Sequence, residues 1–305
     1  MPANGPLVSV VLPTRNRPGR LPRALSSVLA QTYKRLELLV VDDASSTPAE
    51  EVVDQVGRGD RRVQLLRFEK QMGASAARNA AFKRAAGDVI AFIDDDDQWK
   101  PQKLERQVSY LAAHPRTGIV TADFEVMDER RAEILIHRGP ASFRRHHLWW
   151  FNLPGSFVCG IARREAVDGE LWLDESFLSA EDWDMWVRCA RRTSIGVVKE
   201  VLGRQTLHAD GQLTDPSSRL QGLKAFEGRH APSLSKASLA FLRAHQQMEM
   251  GTGIRKRLNV LRSLATDSPR ASTLLLVEQS ARQIGKVRRD PGLVDRALVR
   301  AIGSE

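Results

Sequence analysis

Val89-Ile90-Ala91-Phe92-Ile93 runs straight into Asp94-Asp95-Asp96-Asp97-Gln98-Trp99. The apolar stretch is too short for a core helix and reads as a buried strand. Four adjacent carboxylates repel one another, and the repulsion grows as water is excluded. Taken alone, such a run fits either a solvated acidic loop or a site where a cation relieves the repulsion. Hard oxygen ligands of this kind suit Mg²⁺ or Mn²⁺, which bind a carboxylate or two together with substrate phosphates.

Upstream, the chain alternates two periodicities. Val8 to Leu12 is a β-branched run ending at Pro13, and Leu36 to Val41 is a second apolar strand stopped by Asp42-Asp43-Ala44-Ser45-Ser46. Val63 to Leu66 makes a third. Between them, Leu21, Ala24, Leu25, Val28 and Leu29 recur at helical spacing, with Pro22 tolerated in the first turn. Ala49 to Val56 suggests a short helix, and Ser75 to Ala86 is an Ala-rich one. This β-α-β-α-β-α-β order predicts a mixed, mostly parallel sheet flanked by helices. Ligands of such sheets bind beyond the carboxyl ends of the strands. Thr14-Arg15-Asn16, Asp42-Asp43 and Asp94 to Asp97 all fall there.

Composition removes several classes. The 305 residues are 42% hydrophobic and 27% charged, which excludes a globally disordered chain. No apolar run approaches the roughly 20 residues that span a bilayer, and Met1 to Pro6 carries no basic region that would open a signal peptide. Two cysteines, Cys159 and Cys189, are too few for a disulfide framework and read as packed, reduced thiols.

Farther along, Pro101–Ala113 and Glu181–Arg192 read as helices and Gly118–Ala122 as a strand. The stretch from Arg130 to Phe157 is loop-rich, with His146, His147, Trp149, Trp150 and Phe151 bunched together. These rings fit an acceptor surface, a packed core or a membrane-facing edge. Turn residues dominate from Leu213 to Ser218, which puts a boundary there: a catalytic domain over 1–215, divided near residue 100, and a basic helical region over 216–305. From Pro232 to Glu305 there are 13 Lys/Arg against 6 Asp/Glu, so +7 of the net +9 lies in the last quarter. Such a surface is either a solvated helical face or one that meets an anionic partner.

Five segments, in order, carry a family resemblance: Pro13-Thr14-Arg15-Asn16, Val40-Val41-Asp42-Asp43-Ala44-Ser45, Gly73 to Asn79, Phe92 to Trp99 and Glu181-Asp182-Trp183-Asp184-Met185-Trp186. Together they resemble the family 2 glycosyltransferases, inverting enzymes of the GT-A fold, over roughly Leu7 to Leu213. The resemblance implies a nucleotide-sugar donor, UDP-type, and a glycan or glycolipid acceptor. Pro13, Thr14 and Arg15 would line the nucleoside pocket, and Asp42 would accept a hydrogen bond from the base. Gly73 would let backbone approach the nucleotide, while Arg78 and Asn79 would help hold the acidic loop. Asp94-Asp95-Asp96 fills the Asp-x-Asp motif: Asp94 and Asp95 on the donor side, Asp96 a ligand to Mn²⁺ or Mg²⁺. Asp182 would be the catalytic base, with Glu181 orienting it or binding the acceptor. His208 matches a histidine that completes the metal sphere in several members. Two departures stand out: Gln71 replaces a frequent Asn, and the aromatic residue that usually precedes the histidine is missing.

Family habit further implies cell-surface polysaccharide or glycoconjugate synthesis in the cytoplasm, or at the inner face of the membrane. The C-terminal region would then meet that membrane peripherally or a second copy of the chain, and no nucleic-acid partner is expected. Two rivals remain. A sugar-1-phosphate nucleotidyltransferase would carry a Gly-x-Gly-Thr-Arg loop where Pro13-Thr14-Arg15-Asn16 stands. A binding module of the same fold would have no need to keep Asp42, Asp96 and Asp182 together.

Overall fold

A computed structural model describes residues 5–129, 132–138, 148, 152, 157–167, 172–208 and 216–249. The expected alternation forms β1 (Val8–Thr14), α1 (Leu21–Leu29), β2 (Leu36–Asp42), α2 (Glu50–Gly57), β3 (Val63–Arg67), α3 (Ala74–Arg84) and β4 (Val89–Phe92). β1 lies between β2 and β4, with β3 outside β2, and all four strands run parallel. β1, β2 and β4 are apolar on both faces because both are covered. Val8, Val10 and Leu12 join one core with Leu25 of α1, Val53 of α2 and Leu104, whereas Val11 joins a second with Ala77 of α3 and Trp186. Each such side chain contributes about 1.5–3 kcal/mol on burial, enough to override the absence of a period-two pattern.

The chain continues through β5 (Gln98–Trp99), α4 (Lys103–Ala113), β6 (Thr117–Asp128), β7 (Glu133–His137), β8 (Ile161–Arg163), α5 (Arg164–Val167), α6 (Glu181–Cys189), β9 (Ser194–Leu207), α7 (Pro216–His230) and α8 (Lys236–Glu249). The sheet order is β3-β2-β1-β4-β8-β6-β9-β5, with β7 paired to β6. Short β8 runs antiparallel to both β4 and β6, so it joins the parallel N-terminal half to the parallel β6–β9 pair. The mixed α/β architecture is the one expected.

Several elements differ from the sequence reading. β7 forms a hairpin arm in the stretch read as loop. The long β9 was not anticipated, because Lys199, Glu200 and Gly203 interrupt its apolar pattern. It pairs with β6 through register shifts around Asp123. His146, His147, Trp149, Trp150 and Phe151 lie outside the described residues, as does everything beyond Glu249.

Helix α6 is gripped from two sides. Met185, Trp186 and Cys189 sink into the second core, where Trp186 meets Phe92 and Phe157. Trp183, Val187 and Ala190 form a separate cluster with Phe226 of α7 and Leu242 of α8. Cys159 and Cys189 are buried free thiols, as expected. No described helix is long and apolar enough to cross a membrane.

Candidate active site

The strand ends β1, β2 and β4 open on one edge of the sheet, and four backbone positions there adopt left-handed angles. Asn16 (φ 53°), Ala44 (φ 55°) and Ala180 (φ 62°) pay a steric cost that Gly73 (φ 96°) avoids. Strain of this kind persists where surrounding contacts over-determine the chain, and it collects at functional sites. The contacts are present here. The Asn16 N–H donates to Ser45 Oγ at 2.9 Å, and the Ser46 N–H to Asn16 Oδ1 at 2.7 Å.

The aspartates after β4 alternate in environment. Asp95 and Asp97 are buried, whereas Asp94 and Asp96 are half-buried. Asp95 turns inward, accepting from Thr14 Oγ1 at 2.7 Å and Arg17 Nη1 at 2.9 Å. Burial raises its carboxyl to about 6 against the pull of Arg17 and Thr14. Arg17 also pairs with Asp96 through a short contact, so one guanidinium spans two members of the run. Asp97 accepts the Thr206 N–H of β9 at 3.2 Å, and burial followed by the neighbouring Asp94 and Asp96 charges raises its pKa.

Carboxylate oxygens of Asp94, Asp96 and Asp97 lie within 4.8 Å of one another. His208, at the end of β9, places Nε2 3.0 Å from Asp96 Oδ2 and Nδ1 3.1 Å from Glu129 Oε2. The donor set therefore fits a hard divalent cation: three clustered carboxylates and an imidazole held by a further carboxylate. Asp97, the last of the four aspartates, belongs to that cluster.

Asp42 and Asp43 serve the loops. Asp42 is fully buried and accepts the Ser45 N–H at 2.9 Å, the Ala49 N–H at 3.0 Å and a short contact from Arg67. Burial alone would raise its pKa, but these donors and the Arg67 charge leave it below the usual carboxylate range. Asp43 accepts the Met72 N–H at 2.6 Å and the Gly73 N–H at 2.9 Å, fixing the turn that launches α3. Pro13 is buried opposite Val41, and Arg15 is exposed at the rim.

Arg78 joins the two halves of the site. Lying on α3 and 5% exposed, it donates to Asp94 Oδ1 at 2.5 Å and to Glu181 Oε1 at 3.1 Å. Its guanidinium also stacks over Phe157, 4.5 Å from the ring centroid. Neighbouring Asn79 ties α3 to the chain before α6 through Leu173 and Glu175. Asp182 stands beside Glu181 in the first turn of α6. Asn152 Nδ2 donates to it at 2.9 Å, and the Trp183 N–H at 2.7 Å. Burial, then the Glu181 charge, pushes its carboxyl up to about 7. A carboxylate of that basicity suits proton abstraction near neutral pH. Arg17 and Asn152 are not among the residues the sequence singles out, and Asp43 and Asp97 are legible there only as members of acidic runs, without their partners. Only their tertiary partners reveal them, and Asn152 sits in the stretch without readable periodicity.

The glycosyl transferase family 2 model matches residues 9–172, and the chain belongs to that family. Among relatives, the putative colanic acid biosynthesis glycosyl transferase WcaA of Escherichia coli K12 is 28% identical over 247 residues, 77% of this chain and 85% of the relative. The putative teichuronic acid biosynthesis glycosyltransferase TuaG of Bacillus subtilis 168 is 38% identical over 106 residues, 35% of this chain and 42% of the relative. An E. coli UDP-Glc:alpha-D-GlcNAc-diphosphoundecaprenol beta-1,3-glucosyltransferase, WfgD, is 45% identical over 105 residues, 34% of this chain and 41% of the relative. Among solved structures, S. aureus TarS 1-349 in complex with UDP-GlcNAc superposes with a TM-score of 0.65 at 16% identity, covering 97% of this chain and 88% of that one. The mannosyltransferase PcManGT of Pyrobaculum calidifontis, in complex with GDP-Man and Mn2+, gives 0.61 at 18% identity, covering 98% and 87%. The fold is the GT-A glycosyltransferase fold.

Proposed function

We propose that this protein transfers a sugar from a nucleoside diphosphate donor, UDP-type, to a hydroxyl of a glycan or glycolipid acceptor, with inversion. The observation that carries the reading is Arg78, which ties Asp94 of the acidic loop to Glu181 beside Asp182. A site built for two substrates needs its donor and acceptor halves held in register, and a planar guanidinium shared by two carboxylates does this with little freedom.

Asp182 takes the proton from the acceptor hydroxyl as its oxygen bonds to the anomeric carbon. The bond from that carbon to the diphosphate oxygen breaks, and the nucleoside diphosphate leaves with the electron pair. A single displacement inverts the configuration. Glu181 stays paired with Arg78 and holds its neighbour in place. Thr14, Arg15 and the Gly73 turn face the nucleoside, and Asp42 and Asp43 keep their loops in shape around it. Asp94, Asp96, Asp97 and His208 would hold Mn²⁺ or Mg²⁺. When bound there, the ion supplies Lewis-acid neutralisation of charge on the departing diphosphate.

Relatives named for teichuronic and colanic acid synthesis support a polysaccharide or glycoconjugate setting, and UDP-Glc and UDP-GlcNAc in the names of WfgD and the TarS complex support a UDP-sugar. The protein would act in the cytoplasm, its basic C-terminal region meeting the membrane peripherally or a second copy of the chain. Thermal shifts with UDP and GDP, with and without Mn²⁺, test the donor half. A metal-dependent shift with UDP is expected, and none with either nucleotide would count against the proposal. NMR of the product then reads the anomeric configuration, and retention would remove the single displacement.

A further inference from the structure

Beyond the matched residues 9–172, α7 lies along the N-terminal end of α6, and it touches that end at three points spaced four residues apart. At Gly222, an added Cβ would overlap the backbone carbonyl of Ser179, so only glycine lets the helix approach. Four residues on, the Phe226 ring stacks on Trp183 with centroids 4.1 Å apart. Another four on, His230 Nε2 lies 2.8 Å from Asp184 Oδ1. Arg229 Nη1 reaches the other oxygen of Asp184 at 3.1 Å. Residues four apart share one face of a helix, so Gly222, Phe226 and His230 form a single contact stripe.

What this stripe grips is specific. Ser179 precedes Ala180, whose left-handed backbone (φ 62°) turns the chain into α6. Trp183 and Asp184 follow Asp182 immediately. The three contacts therefore bracket the catalytic pair: one below the strained turn and two just after it. A non-glycine residue in that conformation needs outside support. α8 braces α7 in turn, with Gln246 Nε2 donating to the Leu223 carbonyl at 3.2 Å and to Glu227 at 2.8 Å. Asp184 is fully buried and also pairs with Arg188 of α6 itself at 2.8 Å.

We infer that α7 is a positioning element for the reaction, with Gly222, Phe226 and His230 holding the Ser179–Ala180 turn and the first turn of α6 so that Asp182 points at the acceptor. This rests on the reading of Asp182 as the base. None of the three touches a reacting atom; each acts through Ser179, Trp183 or Asp184. Misplacement of a catalytic group by about 1 Å costs on the order of 10²-fold in rate. Donor binding, built from β1, β2 and β4, lies on other elements and is unaffected.

The test compares Gly222→Ala, His230→Ala and His230→Gln with the wild-type chain. Turnover is read as nucleoside diphosphate released from UDP-Glc, UDP-GlcNAc or GDP-Man with Mn²⁺, and UDP–Mn²⁺ affinity is measured by calorimetry. Gly222→Ala and His230→Ala should lower kcat by about 10–10²-fold with donor KM and UDP affinity within twofold. His230→Gln, whose amide can still donate to Asp184, should recover most of the loss. If Gly222→Ala does not fold, the His230 pair adds no volume and decides alone. Unchanged kcat in folded variants, even with a lower Tm, overturns the inference, as does a loss that the glutamine does not rescue. Asp182→Asn separates the two claims. If it retains turnover, the base assignment fails; if it loses turnover while the α7 variants keep theirs, only the role of α7 falls.

Discussion

Arg78 Nη1 and Glu181 Oε1 lie 3.1 Å apart although they are 103 positions apart in the chain. The same guanidinium reaches Asp94, so the end of β4 and the start of α6 share one cation. Lysine offers a single ammonium and cannot span both carboxylates in the planar arrangement. Arg78→Lys should keep the charge but lower kcat by about 10²-fold, with UDP binding much less affected. Steady-state kinetics beside calorimetric UDP affinity checks this.

The acidic cluster makes a separate prediction. Asp96 contacts Arg17 and His208 and lies with Asp94 and Asp97. Asp96→Ala should leave the fold intact while removing the Mn²⁺-dependent part of UDP binding. Thermal shift with UDP at graded Mn²⁺ reads it, and persistence of the metal-dependent increment would take Asp96 out of the metal site.

Catalysis should follow the titration of Asp182. Its pKa is raised to about 7, and a general base works only when deprotonated. Activity should therefore be low at acid pH, rise through about pH 7 and level off above it. In Arg78→Lys the loosened cation stabilises the carboxylate less, so the midpoint should move up. A pH–kcat profile of both proteins measures the direction.

Much of this was legible in the sequence because apolar strands and their polar ends are local patterns. The run Val89–Ile93 followed by four aspartates placed β4 and the acidic loop without tertiary information. Division of labour within that loop was not legible. Thr14 and Arg17 draw Asp95 inward and Thr206 fixes Asp97, and these partners come from β1, the loop after it and distant β9. Likewise Asp42-Asp43 was readable as a strand-end pair, but the sorting of one to the Ser45–Ala49 loop and the other to the Gly73 turn depends on backbone geometry. β9 escaped because a strand carrying charges across three register shifts has no clean alternation. The grip of α7 on α6 escaped because Gly222, Phe226 and His230 have no local signal beyond helical spacing.

Lys103 supplies a stability prediction away from the site. It is fully buried, donates to Gln107 Oε1 at 2.7 Å and sits over the Trp99 ring, and burial lowers its pKa from 10.5 to about 7. Between pH 7 and 10 the unfolded chain binds more protons at this lysine than the folded one, so stability rises with pH there. Below pH 7 both states are protonated and the cost of burying the charge is full. Lys103→Met should raise Tm at pH 7 and flatten its rise toward pH 10, as measured by scanning calorimetry at the two pH values.

The central claim, that Asp182 is the base of a glycosyl transfer, is tested most directly by Asp182→Asn. Asparagine keeps the shape and the hydrogen-bonding reach but cannot accept the proton. UDP–Mn²⁺ affinity should stay within twofold of wild type, while nucleoside diphosphate release from the donor drops by about 10²–10⁴-fold. Near wild-type release from the folded variant would contradict the account and hand the role to another group, Glu181 first.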